Sequence, residues 1–136
     1  MTKLFLFFLI FLFPVVLHAQ SAFDDCEMVF KVVQHLPSLK ISDEAYEDTL
    51  GAVLQSKKYH FKDDKIILSF VVTEKSKIDE LVIQYSNDRN DKILPETIST
   101  LAALWKPAVQ NGYDVCSYVH LILTFTNKKI AIEITQ

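Results

Sequence analysis

The sequence predicts an α+β domain with a small antiparallel sheet of about four strands. Three observations carry that expectation. Period-two alternation runs through Ile66–Val72, Ile78–Tyr85, Tyr118–Thr126 and Ile130–Thr135. Apolar residues recur at helical spacing ahead of the first of these runs and again between the second and third. Trp105, Pro107 and Asn111-Gly112 then mark a corner where a helix stops and the chain turns back into a strand. The predicted order is ααββαββ: an N-terminal helical hairpin, two strands, a helix and two more strands.

The chain has 136 residues and two glycines, Gly51 and Gly112, which excludes a glycine-rich phosphate loop. Residues 1–19 read as a signal peptide. Lys3 flanks an apolar run of 14 residues, Leu4–Leu17, and His18-Ala19-Gln20 offers cleavage after Ala19. A spanning helix needs about 20 apolar residues, so no stable membrane anchor is expected. Lys3 leaves with the leader and no acid does, so the net charge of −3 becomes −4. That balance gives no basic footprint for nucleic acid. Residues 20–136 form one domain, large enough to close a core. Cys26 and Cys116, in an exported chain, permit a disulfide; two buried thiols are the alternative.

Ser21 is a candidate cap for the first helix, whose apolar positions are Phe23, Cys26, Val29, Phe30, Val33 and Leu36. Leu36-Pro37 ends it. A second helix starts at Ser42, with Asp43 and Glu44 at its positive end and a stripe of Tyr46, Leu50, Val53 and Leu54. Lys65–Thr73 and Ile78–Tyr85 form a hairpin across Glu74–Lys77; Leu81, Ile83 and Tyr85 share one face, Val82 and Gln84 the other. A polar loop, Ser86–Lys92, leads to a helix opened at Leu94-Pro95-Glu96, with Ile98, Leu101, Ala102 and Trp105 on its apolar face and Pro107 at its end. Val119, Leu121, Leu123 and Phe125 alternate with Tyr118, His120, Ile122 and Thr124. The Ile130–Thr135 strand is placed to pair with this run and cover the edge a partner would use, as a guard that a peptide or a second copy displaces.

No constellation for catalysis is present. The four histidines are scattered without metal-ligand spacing, and neither cysteine has a close cysteine. Cys116 and His120 on one strand would lie about 13 Å apart, too far for a thiol and its base. His120 reads as a half-exposed strand histidine. No enzyme activity, metal or cofactor is expected.

Ser69–Ile83 resembles the first hairpin of the C-terminal domain of TonB-type energy transducers. Trp105-Lys106-Pro107-Ala108, then Asn111-Gly112 and a strand ending at Phe125, is similar to the helix end and following strand of that family. The likeness covers about residues 65–127. It implies a periplasmic protein-binding module that takes an extended peptide, such as a segment of an outer-membrane transporter, by sheet-edge pairing. Tyr118, His120, Ile122 and Thr124 are the expected partner-binding residues, and Phe70, Trp105, Pro107, Asn111 and Gly112 are structural. Ser76 stands where the family has a turn glycine, which implies another turn type, and neither the anchor nor the proline-rich spacer of the energy transducers is expected. A homodimer, a secreted accessory domain without a transport role and a small-ligand carrier are the alternatives.

Overall fold

A computed structural model describes residues 26–88 and 91–136; the expected leader and the Ser21 cap lie outside them. The elements are β1 (Val29–Phe30), β2 (Ser38–Leu39), α1 (Asp43–Ser56), β3 (Asp64–Val72), β4 (Ile78–Tyr85), α2 (Ile93–Thr100), a 3-10 turn at Ala102–Leu104, β5 (Trp105–Lys106), β6 (Ala108–Gln110), β7 (Tyr113–Thr126) and β8 (Lys129–Thr135). With 44% strand and 23% helix among the described residues, the structure corrects the expectation of a small four-stranded antiparallel sheet with an N-terminal helical hairpin. Six strands form one mixed sheet and β2 pairs with β5 in a second, two-stranded one.

The long strand β7 organises the sheet. On one side it pairs antiparallel with β3, from Val72 opposite Ser117 to Asp64 opposite Phe125. On the other it pairs with β8 from His120 to Thr126, and with β1 in parallel at Cys116 and Ser117. Alternation then fixes the faces. Ile66, Leu68, Phe70 and Val72 of β3 and Val119, Leu121, Leu123 and Phe125 of β7 are buried on one face. Tyr46, Leu50 and Leu54 of α1 and Leu94 and Ile98 of α2 complete that core. Each such side chain contributes about 1.5–3 kcal/mol on full burial. Trp105 is fully buried at the centre, edge-on to Phe70 at 5.3 Å and to Tyr46 at 5.9 Å between ring centroids.

Among the described residues the first predicted helix is absent. From Cys26 onward the segment is extended and bent: Cys26 is bonded to Cys116, and β1 lies on β7. His35 and Val109 exchange two backbone hydrogen bonds, of 3.2 and 3.0 Å. Ser38 and Leu39 pair with Lys106 and Trp105. Long-range pairing overrides the local period here, helped by the β-branched Val29, Val32 and Val33. The second predicted helix forms as α1, capped by the Ser42 hydroxyl, which accepts from the Ala45 N–H at 3.1 Å.

The third helix is shorter than expected, and Trp105 is not on it. Thr97 and Thr100 donate their hydroxyls back to the carbonyls of Ile93 and Glu96, which loosens a helix end. The Leu101 N–H is shared between Thr97 and Ile98 carbonyls, and the chain tightens into the 3-10 turn. Lys106 precedes Pro107 and must be extended, so Trp105–Lys106 leaves as β5.

The turns are made by residues at positive φ. Asn111 and Gly112 (φ 52° and 80°) join β6 to β7, and Asn127 and Lys128 (φ 49° and 64°) join β7 to β8, the signature of tight hairpins. Ser76 also adopts positive φ, 59°. The buried Thr73 hydroxyl accepts from the Lys75 and Lys77 N–H groups and holds this turn without a glycine.

Candidate functional site

The face of the sheet opposite the helices has no covering layer over much of its area. Tyr118, His120, Ile122 and Thr124 of β7 lie on it. Ile67, Ser69 and Val71 stand across from Ile122, His120 and Tyr118 on β3, and Glu133 and Thr135 stand across from Ile122 and His120 on β8. All four expected partner-binding residues thus share one surface. Their backbone is another matter, because β7 is paired on both sides from His120 to Thr124, and Tyr118 lies between the β1 and β8 pairings. His120, Ile122 and Thr124 can offer side chains to a partner but no free edge.

The short strands β1 and β6 pair only with β7; the two long outer strands of the sheet are β8 and β4, and they differ. The outward N–H of Ile132 on β8 donates to the Glu47 carboxylate of α1 at 3.0 Å, and Ile130 packs beneath that helix against Gly51. Helix α1 therefore closes the outer side of β8 at its middle. Strand β4 pairs only with β3, and among the described residues no strand lies on its other side.

Two bulges shape β4. Between Ser69 and Val71 the partner changes from Val82 to Asp79, so Glu80 is an extra residue; it adopts φ 53°. Between Leu68 and Ile67 the partner changes from Ile83 to Tyr85, so Gln84 is a second extra residue. Bulges twist an edge strand and re-aim its side chains. The second moves Tyr85 to the face of Ile67 and Val82, correcting its expected place beside Leu81 and Ile83. Val82 and Tyr85 are each 53% exposed, and Ile93 at the start of α2 is 37% exposed. Strict alternation could not have shown the exposure of Tyr85, but Val82, an apolar residue on the predicted polar face of an edge strand, was a readable signal.

Glu80 also ties β4 to β7. Its Oε2 accepts the Tyr118 hydroxyl at 3.0 Å, and this hydrogen bond with the adjacent negative charge raises the Tyr118 pKa. The remaining motif residues take these places in the fold. Phe70 and Trp105 are core, Pro107 separates β5 from β6, and Asn111-Gly112 is a hairpin tip. Cys26 and Cys116 form a disulfide, with 6.0 Å between their α-carbons.

The buried Tyr46 hydroxyl and Trp105 indole N–H find no partner in hydrogen-bond geometry. Burial pushes the Tyr46 hydroxyl up to about 12, partly offset by the neighbouring indole. A surface hollow of about 230 Å³, lined in part by Tyr59, Asp64, Asp91 and Phe125, is the place a small-ligand reading would look. Several of its polar groups are already engaged. Asp91 accepts the Tyr59 hydroxyl at 2.6 Å and the Ile93 and Leu94 N–H groups of α2, and Asp64 holds Asn87. Burial, then the Asp91 hydrogen bond, raises the Tyr59 pKa. Among the described residues no group of three or more His, Cys, Asp and Glu side chains is placed to hold a metal ion, and no helix is long and apolar enough to cross a membrane. Compared with protein families, curated proteins and solved structures, the chain finds no match.

Proposed function

We propose that this chain is an exported, periplasmic protein-recognition module of the TonB C-terminal type, and that it takes an extended peptide on the outer edge of β4. The observation that carries the reading is the asymmetry between the two outer strands. A row of unpaired N–H and C=O groups templates another strand, and β4 ends the sheet while α1 and Glu47 close β8. Val82 and Tyr85 add apolar contact for alternate side chains of the incoming strand. A segment of an outer-membrane transporter is the partner class the resemblance favours.

The guard role expected of β8 is disfavoured energetically. Displacing it would uncover Ile130, Ile132 and Ile134 and break the Glu47 contact. The test is a titration of the isotopically labelled chain with a synthetic extended peptide of uncharged sequence, followed by backbone amide shifts. Shifts concentrated on Leu81–Tyr85 are expected. Shifts concentrated on Val119–Thr126, with release of β8, would move the site to the other side of the sheet, and no shifts would remove the reading.

A further inference from the structure

We infer that the Cys26–Cys116 bond is a redox site for a dithiol reductant, and that cutting it releases residues 26–33 from the sheet as an arm hinged at Gln34. The hydrophobic core draws on no described residue before Leu39. Within the arm, Met28 and Val32 are 65% and 80% exposed, and Val29 and Phe30 are only half-buried. Its strand pairing is β1 alone, two residues in parallel against Cys116 and Ser117. So short a ladder, with so little apolar burial, lies at the weak end of local stability. The covalent bond is therefore the main hold on the arm. Past the arm the hold changes. The Gln34 N–H donates to Gln110 Oε1 at 3.0 Å, and the Asn111 N–H donates to Gln34 Oε1 at 2.8 Å. His35 exchanges two backbone hydrogen bonds with Val109. These contacts fix the point at which release stops.

The bond is reachable from one side. Cys116 is only 3% exposed, but Cys26 is half-buried, and both border a surface hollow of about 310 Å³ beside Met28 and Phe30. Access therefore directs a thiolate of the reductant to Cys26 Sγ. The S–S bond breaks, a mixed disulfide forms at Cys26, and Cys116 leaves as a thiolate that takes a proton from water. The reductant's second thiol, once deprotonated, attacks its own sulfur in that mixed disulfide, and Cys26 leaves and is protonated in turn. Two electrons pass to the chain, which ends with two thiols, while the dithiol ends as a disulfide. Release uncovers the β7 edge at Cys116 and Ser117. It also opens the bare sheet face at Val71, which is 1% exposed and borders a hollow of about 70 Å³ with Cys26 and Val29. Oxidation state thus decides whether this end of the sheet is shut.

The test uses the full, oxidised, isotopically labelled chain in native buffer, with dithiothreitol as the dithiol. Alkylation and mass spectrometry should report both thiols without denaturant. The amide resonances of residues 27–33 should collapse to unstructured positions, while those of Gln34, His35, α1, β3 and the β7–β8 hairpin stay dispersed. Cys26→Ser with Cys116→Ser should give the same spectrum with no reductant. A bond that dithiothreitol cuts only after urea is added would overturn the redox site. Arm resonances unmoved by reduction would overturn the release. Loss of dispersion throughout the spectrum would overturn it too, by making the bond a staple of the whole fold.

Discussion

Strands β8 and β4 are the two flanks of one sheet, and they are finished differently. Strand β8 is regular: seven of its residues match seven on β7 without a break, and a helix side chain takes one of its outward N–H groups. Strand β4 is interrupted twice, carries a non-glycine residue at positive φ, and keeps two large apolar side chains in solvent. Regularity invites addition of another strand, so the regular edge is the one that needs covering; the bulged edge, packed against α2, is followed by no further strand among the described residues. A sheet can be finished by packing on one side and by irregularity on the other, and only the second kind of finish leaves a route for a partner.

The contrast can be broken first at β8. Deleting residues 128–136 should cost roughly 5 kcal/mol or more, since three isoleucines lose their place against the core. Urea denaturation would read this, and a truncated chain with unchanged stability would mean that β8 is as dispensable as β4 is open. Next in size, Cys26→Ser with Cys116→Ser should lower stability by about 4 kcal/mol on the chain-entropy argument, given the separation of 90 residues. Peptide binding at β4 should persist, because neither cysteine pairs with that strand.

High pH should act on the guarded side. The fold holds Tyr46 neutral, with a pKa of about 12 against an ordinary 10.0. Its contribution is complete below pH 10 and is lost as pH rises through 12, by roughly 2–3 kcal/mol. Tyr46→Phe should flatten that limb of the pH–stability curve. Glu47→Ala should cost about 1–2 kcal/mol and speed hydrogen exchange at the Ile132 amide while leaving the amides of β4 unchanged. The smallest expected effect is Val82→Lys, within about 0.5 kcal/mol in thermal denaturation, yet sufficient to weaken peptide addition.

Much of this was legible in the sequence. The β3–β4 and β7–β8 hairpins, α1 with its Ser42 cap, and the burial of Trp105 against Phe70 follow from alternation, capping chemistry and turn residues. Three features were not. The segment from Cys26 to Leu36 has helical spacing, but its partners lie some 70 to 90 positions away, and a disulfide and strand pairing decided its shape. The extra residues Glu80 and Gln84 are invisible to a period of two, so Tyr85 was assigned to the wrong face. The capture of the Ile132 N–H by Glu47 joins residues 85 apart, and no local pattern announces it. Of the candidate site, the open face of β7 was readable, while the choice between the two edges required the packing of α1.

The bond from Cys26 to Cys116 has a mechanical consequence. Tension applied upstream of Cys26 enters β7 directly through sulfur, and tension leaving by the C-terminus exits through β8, the strand hydrogen-bonded along β7. Residues 27–115, which include both helices and β4, lie off that load path. A pull along the chain would thus open the β7–β8 hairpin from its free end, pair by pair from His120 and Thr135 toward the turn, and the strand proposed to hold a peptide would be carried along without being stretched.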